Sequence, residues 1–251
     1  MSESLMHPFI KKMMTLSLIL TKEQVKEPIA FIWIILSPSL MFYFLCLTKG
    51  IESFANSNYF EHSAFFYAYV SASVAFFGYA FYLIGRRESG FIRSFAYQPR
   101  AKALLLCAQL LTYTFIALLY CTLLYLLTRP LFGGYEPAEF LFLLLRFCTC
   151  FLMFCVVGLL VVRLPLTFQN ANTVFSALLF LMLMGLFASR MFALPGLNII
   201  SYINPLVFAS DIMVMQGWRY LAVTLGTVIC LIALMWASIH WIPVNPIWSR
   251  Y

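Results

Sequence analysis

The densest run of interaction chemistry in the sequence is Arg86-Arg87-Glu88-Ser89-Gly90-Phe91-Ile92-Arg93-Ser94-Phe95-Ala96-Tyr97-Gln98-Pro99. Phe91 and Phe95 fall one helical turn apart, as do Ile92 and Ala96, and the charges gather at the start and on the other face. Pro99 ends the run, since proline lacks the N–H that a helix interior needs. The chemistry is that of docking rather than catalysis. Aromatic anchors within a basic rim let a short amphipathic helix seat in a groove on a soluble partner. The same spacing also suits a loop helix that lies at an interface and binds nothing.

Other polar residues stand inside apolar runs. Tyr67, Ser71, Gly78 and Tyr82 recur near one helical stripe, where small residues permit close helix approach and hydroxyls offer hydrogen bonds to an amphipathic passenger. Ordinary helix packing accounts for the same stripe. Arg146 interrupts a run that reads as membrane-spanning, and a charge there costs about 2.5–3.5 kcal/mol at the helix centre. It either snorkels outward, pairs with Glu136, Glu139 or Asp211, or faces a passage and attracts an anion. Asn204, Pro205 and Asp211 are candidates for an external gate, with structural capping the plainer role for Asp211. His7, His62 and His240 sit near expected interfaces and carry no assigned catalysis. The seven cysteines all fall in apolar runs and read as small buried apolar residues, without zinc spacing and without a disulfide framework.

These residues must be positioned by helices in a bilayer. The 251-residue chain is 63% hydrophobic and 10% charged, with a mean hydropathy of +0.92. A soluble domain is nearer to about 45–50% apolar and about 25% charged. The apolar runs are long and continuous, which favours helices over barrel strands. The expected fold is all-α and integral to the membrane, a single unit over 1–251 with six transmembrane helices over 28–47, 63–84, 103–127, 140–162, 172–187 and 220–241. Residues 7–26, interrupted by lysines, read as an interfacial amphipathic helix. Pro38 is expected to kink the first span. Segment 188–219 is apolar yet broken by Pro195, Gly196, Asn204, Pro205 and Gly217, and reads as external re-entrant half-helices. No cleavable signal is expected at the N-terminus.

Orientation follows from lysine and arginine. One side holds Lys11, Lys12, Lys22, Lys26, Arg86, Arg87, Arg93, Arg100, Lys102, Arg163 and Arg250; the other holds Lys49, Arg129, Arg190 and Arg219. The richer side is expected to be cytoplasmic, with both termini inside. The net charge of +7 is thus a topology signal and requires no nucleic-acid partner.

The sequence resembles the ABC type-2 transporter permeases. In that family the loop after the second span commonly reads Arg-Glu-x-Gly, then a basic residue, then a proline; Arg87, Glu88, Gly90, Arg93 and Pro99 match it. A Leu-Pro, an Asn-Pro-Leu and an acidic residue before the last span match Leu194-Pro195, Asn204-Pro205-Leu206 and Asp211. The likeness covers the whole chain. It departs where relatives carry Ser-Gly in the fifth span and a proline soon after, since here Met184 precedes Gly185 and Ala188-Ser189-Arg190 follows.

The resemblance implies that 86–98 is a coupling helix, with Arg86, Arg87, Glu88, Gly90, Phe91, Arg93 and Phe95 meeting an ABC ATPase subunit. The chain has no Gly-x-x-x-x-Gly-Lys phosphate loop. ATP and Mg are therefore expected on a separate ATPase dimer, with no cofactor and no catalysis on this chain. A second permease copy or a paralogue would complete the passage in a bacterial inner membrane, surrounded by lipids. The cargo implied is an amphipathic drug, peptide or lipid; a polysaccharide or glycolipid exporter and a secondary transporter are the alternatives. A lipid-modifying membrane enzyme would need convergent acids or histidines that nine scattered acids do not supply.

Overall fold

The computed structural model describes residues 3–26, 28–49, 58–95, 98–191 and 203–241. All regular structure among them is helical. Each long apolar run becomes a helix because a backbone in lipid must pair its N–H and C=O groups internally. Helix α1 (Glu3–Val25) precedes α2 (Pro28–Lys49), which carries Pro38. Helix α3 (Tyr59–Ser73) continues through a π-helical stretch (Val74–Ala80) into α4 (Phe81–Glu88), so the three form one rod. The five-residue α5 (Phe91–Phe95) follows a turn. Then come α6 (Pro99–Thr128), α7 (Pro137–Val162), α8 (Phe168–Met191), α9 (Pro205–Val214) and α10 (Gly217–Trp241).

Among the described residues, five rods are long and apolar enough to cross a membrane: Tyr59–Glu88, Pro99–Leu131, Pro137–Val162, Phe168–Phe187 and Gly217–Trp241. The runs expected over 63–84, 103–127, 140–162, 172–187 and 220–241 lie inside them. The first expected span, 28–47, falls within the 22-residue α2, which is not among the five. Part of segment 188–219 lies outside the described residues, including Leu194-Pro195. Its described remainder contains α9, a ten-residue helix packed against α3, α7 and α8.

The rod from Tyr59 to Glu88 is the hub, with 72% of its most apolar window buried, against 11% for α10 at the periphery. Helix α1 packs along α6, where the Ser17 and Thr112 hydroxyls meet at 3.1 Å. Lys11, Lys12 and Lys22 stay exposed on its other face, as its amphipathic spacing implies. Cys46, Cys121, Cys150 and Cys155 are buried, as small apolar residues should be, whereas Cys230 is exposed on α10.

The hub owes its close packing to two small residues. A Cβ on Gly158 of α7 would lie 2.9 Å from the Cβ of Ala80, inside van der Waals contact. Neither atom has a rotamer through which to retreat. Gly158→Leu is therefore expected to destabilise the protein by about 1–3 kcal/mol through overpacking. Gly226, with open space around it on α10, is the control. Gly226→Leu should leave the detergent melting temperature unchanged or slightly raised, since it gains helix propensity without a clash.

Candidate functional site

The rod ends at a built corner. Ser89 N–H donates to Gly85 O at 2.9 Å and Gly90 N–H to Arg87 O at 3.1 Å, which closes the last turn of α4. Gly90 stands at φ 75°, in the left-handed region that a side chain disfavours. This corner splits the expected continuous helix over 86–98: α4 stops at Glu88 and α5 begins at Phe91.

Arg87 fixes the corner to the rest of the bundle. Its side chain is fully buried. Nη1 donates to Val162 O at 2.8 Å and Leu164 O at 3.1 Å, Nη2 to Leu166 O at 2.5 Å, and Nε to a Glu88 carboxylate oxygen at 3.1 Å. The guanidinium fork thus gathers the carbonyls at the end of α7 and in the turn to α8. Arg86 forms an ion pair with Glu23 of α1 and lies over the Phe91 ring at 4.9 Å. The sequence assigned Arg86, Arg87 and Glu88 to contacts with a partner. In the fold they hold the corner to three other parts of the chain.

What faces outward is the tip. Arg93, Ser94 and Phe95 are exposed, and Phe95 is 74% so. Phe91 is half-buried with its ring 5.1 Å from that of Phe95, and Ile92 is buried as the tip's own anchor. The short helix therefore presents one aromatic and one cation on a stem held by arginine.

The stripe of Tyr67, Ser71, Gly78 and Tyr82 does not run straight. The π-helical stretch begins after Ser71, contains Gly78, and turns the second half relative to the first. Tyr67 is buried against Phe147 of α7, and its hydroxyl meets that of Tyr59 at 2.7 Å. Ser71 donates to Ala68 O at 2.8 Å within its own helix. Gly78 instead makes room for the Tyr113 ring of α6, and Tyr82 lies 5.9 Å from that ring. Tyr67 thus packs on α7, and Gly78 and Tyr82 pack on α6, where with Tyr113 they also line a cavity of about 210 Å³.

Toward the opposite end, Arg129 takes two of the three carboxylates that the sequence offered to Arg146. Its Nε donates to Glu139 at 2.8 Å and Nη2 to Glu136 at 3.3 Å. Arg146 finds a different partner: Nη1 donates to Met213 O, near the end of α9, at 2.8 Å. It also lies over the Phe60 ring at 4.9 Å. The last carbonyls of a helix carry partial negative charge, so this is a favourable seat for a cation. Asp211 is exposed on α9.

The chain is similar to Protein McbE of Escherichia coli, with 27% identity over 201 residues that make up 79% of this chain and 83% of that protein. No protein-family model matches the chain, and no solved structure matches it. The chain is a multi-pass helical membrane protein.

The cap of α9 is Asn204, not Asp211. Its carbonyl oxygen accepts from Leu206 N–H at 3.0 Å, and its amide donates to Met182 O of α8 at 2.6 Å. Pro205 follows at the first helical position, where its missing N–H costs nothing. Asn204→Ala is expected to lower stability by about 1–2 kcal/mol through loss of the cap. Asn204→Asp should recover part of this, since a carboxylate caps α9 but cannot donate to Met182 O. Melting temperatures of the two variants in detergent check the order.

Sequence reasoning missed the partners of both arginines, because Val162, Leu164, Leu166 and Met213 contribute backbone carbonyls that any residue would supply. A signal did exist for the Arg87 latch. Pro165 marks a turn at the same expected side as Arg87, and turns leave carbonyls in need of donors.

Proposed function

We propose that the chain is the membrane-spanning permease subunit of an ATP-driven exporter, worked by a separate ATPase. In this reading α2 is the first of six crossings, and both termini lie on the cytoplasmic side with Lys11, Lys12, Arg86, Arg93, Arg100 and Arg163. Two copies, or this chain and a paralogue, enclose the passage. ATP and Mg belong to the partner, and the cargo is an amphipathic drug, peptide or lipid.

One observation carries the proposal. An exposed aromatic tip, Phe95 with Arg93, stands on a corner bound through Arg87 to the turn between α7 and α8 and through Arg86 to α1. A solvated loop has no need of such a base. A lever does, because a push on the tip must reach several helices at once. The resemblance of the loop to a coupling element and the concentration of basic residues on its expected side support the same reading.

Co-purification from mild detergent tests it. An ATPase bearing a phosphate-loop motif should accompany the wild-type chain and be released by Phe95→Ala. Absence of any such partner from the native host membrane contradicts the reading, as does equal release by Tyr135→Ala at the opposite end.

A further inference from the structure

A cavity of about 640 Å³ opens beside Arg146. Its polar lining is Arg146, Asn58, Glu61, Gln216 and Tyr220, drawn from the entry to α3, from α7 and from the junction of α9 with α10. Its apolar lining includes Phe142, Leu145 and Leu221, which are 59%, 50% and 60% exposed and continue onto the outer face of the bundle. Volume and lining both fall in the range of sites for small molecules, mostly apolar walls with a few convergent polar groups.

The electrostatics favour an anion at the inner end. Arg146 spends one N–H on Met213 O and has no carboxylate within ion-pair distance among the described residues. The first turn of α10 lines the same space through Gly217 and Tyr220. The N–H groups of a first helical turn have no partners within the helix and carry partial positive charge. Glu61 is exposed and is the one carboxylate in the lining, placed at the start of α3.

We infer that this cavity binds an amphiphile with an anionic head group, phosphate or carboxylate, seated on Arg146, and an acyl chain lying along Leu145 and Leu221. A wall that runs from a half-buried cation onto a lipid-facing surface suits such a molecule. A bare anion would leave that wall unused, and a neutral chain would leave Arg146 with only Met213 O and the Phe60 ring and no counter-charge. The lining residues described all belong to one chain, and the site does not depend on coupling to an ATPase.

Titration of the purified chain in an uncharged maltoside detergent tests the inference, with bound lipid counted by native mass spectrometry. Lysophosphatidate, lysophosphatidylcholine and inorganic phosphate are the three probes. The wild-type chain should retain one lysophosphatidate, with lysophosphatidylcholine at least about tenfold weaker, given the strength of charge-assisted hydrogen bonds. Inorganic phosphate should compete poorly. Arg146→Gln should weaken lysophosphatidate about tenfold or more and abolish the preference over lysophosphatidylcholine. Glu61→Gln should tighten it a few-fold by removing a like charge. Leu221→Trp, which fills the wall and leaves Arg146 in place, carries the test should Arg146→Gln not fold. Equal binding of the two lysolipids, unchanged affinity in Arg146→Gln or in Leu221→Trp, or full displacement by millimolar phosphate would each overturn the proposal, the last in favour of a site for free phosphate.

Discussion

Arg87→Ala should unfold the corner between α4 and α5 and cost the protein about 3–5 kcal/mol, the range expected when one partner of a buried ion pair is removed. The substitution withdraws donors from Val162 O, Leu164 O and Leu166 O together. It also strips the guanidinium from a Glu88 carboxylate that is only 8% exposed. Arg87→Lys should rescue little. An ammonium is a point donor on a flexible stem and cannot span three carbonyls and a carboxylate as a planar fork does. Arg87→Met with Glu88→Gln should cost less than the sum of the single changes, because a buried pair removed as a unit leaves no orphaned charge. Thermal melting in detergent, followed by loss of monodisperse elution, measures these variants and the two single changes. Melting of Arg87→Ala at the wild-type temperature would show that the latch contributes nothing.

The second large effect concerns association rather than stability. If the proposed ATPase seats on the tip, Phe95→Ala should weaken its binding about thirtyfold, the consequence of losing an aromatic anchor worth about 2 kcal/mol. Arg93→Glu should act differently. A cation at the rim governs the rate of encounter and its salt dependence, so the charge-reversed chain should associate slowly at low salt and differ less at high salt. Arg86→Ala should leave the affinity near wild type, since Arg86 already faces Glu23 and the Phe91 ring. The three variants thus separate tip from stem. Pull-down titrations with the co-purified ATPase, at two salt concentrations, read them out.

Much of the helical plan was legible because its cause is one-dimensional. A run such as Pro137–Val162 must be a helix in lipid, whatever surrounds it, and the prolines at 99, 137 and 205 stand where the helices begin. The tip was legible for the same reason, since Phe91 and Phe95 are close in sequence. The latch was not. Arg87 and Phe95 belong to one motif, yet the first turns inward and the second outward, a difference set by Gly90 at positive φ and by carbonyls 75 or more residues away. The stripe through Tyr67 and Tyr82 was read with a single helical period, and the π-helical stretch between them breaks that period. Pairing with Glu136, Glu139 or Asp211 was one of three readings of Arg146, but Arg129 takes the first two carboxylates. Sequence reports which charges exist, whereas packing decides which of them meet.

The central claim is that an ATPase grips the tip at Phe95. Site-specific photocrosslinking in living cells tests it most directly, with benzoylphenylalanine placed at Phe95 and, as a control, at Tyr135 on the opposite end. The expected result is one ultraviolet-dependent adduct at position 95, containing a protein with a phosphate-loop motif, and none of that adduct at position 135. Adducts at position 95 with lipid alone, or the ATPase adduct at both positions, would contradict the account.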